Sequence, residues 1–192
     1  ASRLENDLSG NHLLKNAVAL TVAGALLGSP HRDTGLALLQ RECAAQMLSD
    51  GGHMERSPMY HGQVLLDLIV AAVVLESVPT WLDDVIREGM DFLRGVMHAD
   101  GRCAQFNDGA ADEGVSPGTI LTLGSFVCPE ATAKQKGSAA FPESGLYRLE
   151  APDEDGTVIM KAGRAMADHQ PGHAHSDLLS FEYSVSGQRI FV

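Results

Sequence analysis

The chain has 192 residues, of which 44% are hydrophobic, and a formal net charge of −11 at pH 7. This length and composition indicate about one globular domain rather than a disordered chain. The acidic balance argues against a protein that binds nucleic acid through its net field. The three cysteines are odd in number and widely spaced, so neither a disulfide framework nor a zinc ribbon is indicated, and free thiols are predicted at Cys43, Cys103 and Cys128.

No membrane span is predicted. The longest apolar stretches, AVALTVAGALLG and LIVAAVVL, are shorter than the about 18 residues that a span requires. No basic segment with a cleavage site precedes them. The chain begins without Met and ends at RIFV, inside a predicted strand, so we expect a fragment or a processed piece of a longer protein.

Helices are predicted throughout the first part of the chain. Apolar residues recur with a period near 3.6 in HLLKNAVALTVAGALLG, and a Gly and a Pro end this helix. Further helices are predicted from about Asp33 to Ser49, over YHGQVLLDLIVAAVVLES, and over TWLDDVIREGMDFLRGVMH, where Thr80 is the predicted N-cap and Asp83 completes a capping box. The connections are short, which predicts antiparallel helical hairpins.

The pattern changes at Asp100. DGRCAQFNDGAADEGVSPG predicts a long loop, TILTLGSFV a short helix, and CPEATAKQKGSAAFPESG a linker. After Gly145 the hydrophobic period becomes two, so GLYRLEA, GTVIMKAG, LLSFEYSV and QRIFV predict two antiparallel hairpins. We therefore predict an α+β chain, with helical hairpins in residues 1–127, a linker in 128–144 and the start of an antiparallel sheet in 145–192. No internal repeat beyond the helix pairs is visible.

The loop DGGHMERSPMYHG is dense in titratable groups. Two glycines release the chain from a helix, and an acid, a phenol and several bases follow around a Pro: His53, Glu55, Arg56, Tyr60 and His61. Catalytic groups are often carried by loops that a rigid scaffold holds in place, which favours a functional site here. The alternative is a helix-entry loop in which Glu55 and Arg56 form a solvated pair and Tyr60 packs.

A second cluster, HQPGHAHSD, contains His169, His173 and His175. In an extended chain His173 and His175 point to the same face, as does Asp177, which suits a shared metal or one ligand beside a catalytic imidazole. Histidines that only make structural hydrogen bonds are the alternative.

Asn11 and His12 in SGNHLLKN stand at the start of the first predicted helix. Considered alone, Ser9 or Asn11 would cap the helix and His12 would lie on the surface. Their significance comes from a comparison with the other motifs.

Four strings in this order carry a resemblance: SGNHLLKNAVALTVAGALL, DGGHMERSPMYH, FNDG and PGHAHSDLLSFEYSVSGQRIFV. Together they resemble the heparinase II/III-like family of polysaccharide lyases, which includes alginate and oligoalginate lyases. The resemblance extends over nearly the whole chain. It implies the C-terminal part of an incomplete (α/α) toroid of helical hairpins, followed by the first strands of an antiparallel β-sandwich, with the active cleft between them.

The resemblance also implies an activity and catalytic residues. Such a lyase cleaves a uronic-acid polysaccharide by β-elimination: it removes the C5 proton, builds charge on the carboxylate and expels the 4-oxygen. Asn11 and His12 would neutralise the carboxylate. Tyr60 would be the base, and His173 would face the cleft from the sheet side. Tyrosine has an unperturbed pKa of about 10, so Tyr60 would need nearby positive charge to lower its pKa.

Arg56 or His61 could supply that charge, and substrate-binding roles are implied for Glu55, Arg56, His61 and Asn107. His175 matches a residue that in some members binds a structural zinc ion, together with an Asp beyond the following strand and a more distant His. The chain ends where that Asp is expected, so its own residues would form only part of a zinc site.

The expected partner is an acidic polysaccharide or oligosaccharide, which favours a periplasmic or extracellular location. The acidic chain suits lightly charged uronates, such as alginate or a bacterial exopolysaccharide, better than highly sulfated heparin. Two alternatives stay open. One is a non-catalytic carbohydrate-binding or exopolysaccharide-assembly module with the same fold. The other is a hydrolase that uses paired carboxyl groups, for which Glu55 and Asp108 are available.

Overall fold

The computed structural model describes residues 11–110, 113–129, 137–151, 155–164 and 175–192. In these segments five helices precede a five-stranded antiparallel sheet. The helices are α1 (Asn11–Leu26), α2 (His31–Gln46), α3 (Pro58–Val73), α4 (Thr80–Gly95) and α5 (Pro117–Val127). Within the described residues, none of these helices is long and apolar enough to cross a membrane.

The helices lie where the 3.6-residue period predicts them, but the start of α4 differs in detail. Thr80 is the first helical residue, and Pro79 occupies the N-cap position without a side-chain cap. The predicted Thr80 cap is therefore wrong. Asp83 pairs with Arg87, one turn further along the helix, and accepts a hydrogen bond from the thiol of Cys128.

One apolar core joins the five helices. Gly35 of α2 lies so close to α1 that a Cβ atom there would be 2.5 Å from the backbone nitrogen of Thr21, so only glycine permits this approach. The helices bury large aliphatic side chains completely, among them Leu14, Leu39, Leu65, Leu68, Leu82 and Ile86. The three cysteines are free, as predicted.

The sheet is a simple meander in which each strand pairs antiparallel with the next. Its first strand falls in the segment predicted as a linker, so the sheet begins before the expected boundary at residue 145. Phe141 gives the physical reason, because its ring packs edge-on against Phe92 of α4 with centroids 4.9 Å apart. The strands are β1 (Ala139–Phe141), β2 (Leu146–Glu150), β3 (Gly156–Lys161), β4 (Phe181–Val185) and β5 (Gln188–Phe191).

The two faces of the sheet differ in chemistry. On the inner face Leu146 and Ile159 join Phe92 and Phe106 in a second apolar cluster. Around it the inner face carries buried polar and charged groups, which are Arg148, Lys161, Glu182 and Ser184. The opposite face exposes Leu149, Phe181 and Phe191 by half or more. The predicted α+β architecture of helical hairpins followed by antiparallel strands is confirmed.

Two loops after helices share one backbone design. The first loop (residues 47–53) follows α2 and the second loop (residues 97–103) follows α4, and each is closed by an isolated antiparallel bridge between its end residues. In each, an Asp side chain, Asp50 or Asp100, accepts a hydrogen bond from the backbone N–H two residues later. The expectation of no repeat beyond the helix pairs was thus wrong, since the loops repeat as well.

Candidate functional site

Asn11, Glu55 and Tyr60 meet at the junction between α1 and the loop that enters α3. The side-chain nitrogen of Asn11, the first residue of α1, donates to Glu55 Oε2 at 3.4 Å. Glu55 is only 1% exposed, and its carboxylate interacts electrostatically with Tyr60 in the first turn of α3. His12 follows Asn11 and is exposed. Two predicted catalytic residues, Asn11 and Tyr60, therefore lie around one buried carboxyl group.

His53 contacts Glu55 and is itself held by Gln46. Its Nε2 donates to Gln46 Oε1 at 3.1 Å, and its Nδ1 accepts the backbone N–H of Glu55 at 3.4 Å. Burial, and then the nearby His61, lower the pKa of His53 to about 3. His53 is therefore neutral near pH 7, and the 3.8 Å approach of its Nδ1 to Glu55 Oε2 is not an ion pair there.

The charges around Tyr60 are negative. Burial raises the pKa of its phenol, the carboxylates of Asp108, Glu55 and Glu113 raise it further, and so does a hydrogen bond to Asp108. The direction is opposite to the predicted lowering by a neighbouring cation. Tyr60 is consequently a neutral phenol at pH 7 that donates to Asp108.

The two residues expected to supply positive charge have other partners. His61 lies in the core, with Nε2 donating to the carbonyl oxygen of Gly89 at 2.9 Å and its ring edge against Phe92. Burial lowers the pKa of His61 to about 4, so it carries no charge near pH 7. Arg56 donates from Nε to the carbonyl oxygen of Glu143 at 3.2 Å, in the turn before β2. Their substrate-binding roles stay predictions, and these placements favour structural roles.

Asn107 connects the site to the sheet. Its side-chain nitrogen donates to the carbonyl oxygens of Glu55 and Arg56, both at 3.1 Å. Its side-chain oxygen accepts from Lys161 of β3, and its backbone N–H donates to Asp177 at 2.6 Å. Asn107 is buried, and these contacts favour a structural role that links the loop to the sheet. Its substrate-binding role stays a prediction.

Of the histidine cluster, His175 lies within the described residues. His169 and His173 lie outside the described residues. His175 is exposed, and Asp177 on the same segment pairs with Lys161. The parts of the chain that the structure describes contain no group of three or more His, Cys, Asp or Glu side chains that could hold a metal ion. A zinc ion at His175 would thus need ligands from other residues, and the described donor set does not fit a zinc site by itself.

Several residues at this junction were not identified from the sequence as part of the site. Lys161 pairs with Asp177 from the sheet side, whereas Asp177 was considered only beside the histidines, and Gln46 orients His53. Asp108 was considered only as a hydrolytic carboxyl group, whereas the structure makes it the partner of Tyr60. A signal for Asp108 was present, because it directly follows Asn107 in the FNDG string.

The fold joins helical hairpins to an antiparallel sheet through a polar site at their junction. Comparison with known families identifies the family to which the chain belongs. Residues 2–116 match the model described as Heparinase II/III N-terminus, and residues 133–192 match the one described as Heparinase II/III-like, C-terminal. The chain therefore belongs to the heparinase II/III family, and the predicted resemblance is confirmed. No curated protein matches the chain.

Solved structures show the same fold. A heparinase III structure superimposes with a TM-score of 0.78 at 21% identity, over 94% of this chain and 34% of its own. The heparan sulfate lyase HepC from Pedobacter heparinus gives a TM-score of 0.72 at 19% identity, over 98% of this chain and 32% of its own. The present chain thus spans about a third of the length of these structures.

Proposed function

We propose that this chain carries the helical side of the active site of a polysaccharide lyase, which cleaves a uronic-acid-containing polysaccharide by β-elimination. The convergence of Asn11, Tyr60 and Asp108 around the buried Glu55 supports this proposal. The proposed activity is that of the protein at its full natural length. In that protein these residues would form one wall of the active cleft.

The uronate carboxylate would bind at the start of α1. An amide nitrogen carries two hydrogens, so Asn11 can donate one to Glu55 and the other to the substrate. The exposed imidazole of His12 adjoins it, and the first N–H groups of a helix favour negative charge. As the C5 proton leaves, charge accumulates on this carboxylate, and donors placed there beforehand stabilise the enolate-like intermediate.

Tyr60 would handle the proton together with Asp108. The C5–H and C4–O bonds break, a C4–C5 double bond forms, and the proton finally resides on the departing 4-oxygen, so no oxidant or reductant is needed. A neutral phenol accepts the C5 proton only as its own proton leaves, and the hydrogen-bonded Asp108 carboxylate is the acceptor on that side. Tyr60 would then give a proton to the departing 4-oxygen and recover one from Asp108, so both residues end in their starting protonation states. We retain His173 as the proposed partner from the sheet side.

Charge around Tyr60 bears on the substrate. Three carboxylates act on the phenol, which disfavours a polymer with many sulfate groups per sugar. We propose a uronate with about one carboxylate per unit, such as alginate or a bacterial exopolysaccharide, met in the periplasm or outside the cell. Hydrolysis by Glu55 and Asp108 is less well supported, because Glu55 is 1% exposed and binds Asn11.

The test is the ultraviolet absorbance of the unsaturated uronate product, followed for the full-length protein with alginate, hyaluronan, heparan sulfate and bacterial exopolysaccharides. We expect one polymer to give product and Tyr60→Phe to lower the rate about 100- to 10,000-fold, as for loss of an acid–base group. Tyr147→Phe, a half-buried tyrosine of β2, is the matched control and should retain the rate.

Full activity of Tyr60→Phe would refute the role of Tyr60. If the wild-type protein binds a polymer without forming product, the non-catalytic binding module becomes the better description of its function.

A further inference from the structure

A fully buried lysine connects the sheet to the site. Lys161 ends β3 with 0% exposure, and its Nζ donates to Asp177 Oδ1 at 2.7 Å and to the side-chain oxygen of Asn107. The other oxygen of Asp177 accepts the backbone N–H of Asn107 at 2.6 Å. A buried ammonium is costly unless it is paired and hydrogen-bonded. The triad of Lys161, Asp177 and Asn107 meets both conditions.

The triad holds a strained piece of backbone. Asn107 has a φ of 60° and Arg56 a φ of 51°, a left-handed conformation that non-glycine residues seldom adopt. The two donors of the Asn107 amide bind the carbonyl oxygens of Glu55 and Arg56. Contacts from the sheet therefore extend, through Asn107, to the loop that leads into Tyr60.

The same triad also places the partner of Tyr60. Asp108 directly follows Asn107, and its carboxylate accepts the hydrogen bond from the phenol. A shift of Asn107 would consequently move both Asp108, its neighbour in the chain, and Glu55, whose carbonyl oxygen its amide binds.

We propose that Lys161 and Asp177 are positioning residues, which hold Asn107 so that Asp108 faces Tyr60 and Glu55 faces Asn11. The catalytic part of this inference rests on the proposed lyase function. The structural part, namely that Lys161 governs the loop around Glu55 and Arg56, does not.

Arg148 provides a matched control for Lys161. It is also a buried cation on the inner face of the sheet, and its Nη1 donates to the carbonyl oxygen of Met97 at 2.5 Å, in the second loop. Lys161→Met and Arg148→Met each replace a buried cation by the same uncharged, unbranched side chain. Both should lower the melting temperature, but only Lys161→Met should disturb the surroundings of Tyr60.

The first measurement is steady-state kinetics of the full-length protein on the polymer that the wild type cleaves. We expect Lys161→Met to lower kcat about 100-fold with little change in KM, because small misplacements of catalytic groups have effects of this size. Arg148→Met should keep kcat near the wild-type value. Equal losses in the two variants would overturn the positioning role and leave a merely structural lysine.

The second measurement is amide hydrogen exchange, which does not depend on activity. We expect faster exchange in residues 55–60 and 106–109 for Lys161→Met, and in residues 97–103 for Arg148→Met. If Lys161→Met does not fold, Asp177→Asn is the milder variant, because its amide can still accept from Lys161 but cannot accept the N–H of Asn107 as well. Unchanged exchange around Glu55 would overturn the inference, whereas an inactive wild type would overturn only the proposed function.

Discussion

The first loop and the second loop share a backbone but differ in what the chain does next. Both place a glycine at φ +82° after the aspartate. Asp50 accepts from Ser144 in the turn between β1 and β2, and Asp100 accepts from Arg189 of β5. The first loop ends at His53 and leads directly to Glu55 and Tyr60. The second loop ends at Cys103 and leads to the Asn107 junction.

The comparison shows that the scaffold is repeated and the chemistry is not. Each loop fixes the end of a helical hairpin against the sheet, which explains why the turn residues recur. The first loop is followed by Glu55, Arg56 and Tyr60, whereas the second is followed by Asn107 and Asp108, which the chain supplies to the same site. Two equivalent connections thus approach the site with different side chains.

The glycines of the two loops offer the largest expected difference. A Cβ atom at Gly51 would lie 2.4 Å from the carbonyl oxygen of Glu88, whereas at Gly101 nothing lies within 4 Å. Both substitutions incur the left-handed penalty, but only Gly51→Ala adds a clash with backbone. We expect Gly101→Ala to cost about 1 kcal/mol and Gly51→Ala about 4 kcal/mol of unfolding free energy, measured by urea denaturation.

Equal costs for the two alanine variants would mean that the first loop can move away from α4. The close packing of the first loop would then be no reason for its glycine.

The periodic patterns were sufficient for the helices and most strands, but not for the repeat. MLSDGGH and MHADGRC share a Met and an Asp-Gly pair at the same spacing, a signal that short-range periodicity does not register. Phe141 explains the extra strand β1, since its ring completes a contact with Phe92 that is distant in sequence. Long-range contacts of this kind cannot be inferred from the pattern of one segment.

The site shows the same division. Family motifs located Asn11 and Tyr60, but not the acidic surroundings of Tyr60, because Asp108 comes from a distant loop. In GTVIMK, alternation puts Val158 and Met160 on one face and Lys161 on the other, so the more apolar face would be assigned to the core. The structure buries Lys161 instead, because the inner face meets polar loops that supply its acceptors.

The two residues that end the loops, His53 and Cys103, should contribute differently to stability in acid. The pKa of His53 is lowered to about 3 by burial and by His61, from an ordinary value of 6.5. As pH falls from 6.5 toward 3, the unfolded chain binds a proton there that the folded chain does not, so stability declines. His53→Gln should lessen this decline by about 4 kcal/mol, measured by urea denaturation at several pH values.

Cys103→Ala is the control, because it changes the equivalent position of the second loop without removing a group that titrates in this range. An unchanged acid slope in His53→Gln would show that His53 is protonated in the folded chain, in which case its contact with Glu55 would be an ion pair.

The smallest expected difference is between the stability losses on replacing the two loop aspartates. Asp50 accepts from the N–H and the hydroxyl of Ser144, at 2.7 and 2.8 Å, and the fully buried Ser144 would lose both acceptors in Asp50→Ala. Asp100 pairs with Arg189, which also donates to Glu182. We expect losses of about 2 kcal/mol for Asp50→Ala and about 1 kcal/mol for Asp100→Ala near pH 7.

Acid sharpens this last comparison. Burial alone would raise the pKa of Asp100, but hydrogen bonds from Arg189 and from the N–H of Arg102 outweigh it and lower the pKa below 3.8. Its stabilising contribution is present above that pH and is lost as pH falls through the lowered value, so Asp100→Ala and the wild type should converge in strong acid. Denaturation at several pH values measures this, and a constant difference would indicate that packing of the side chain, rather than its charge, ties the second loop to β5.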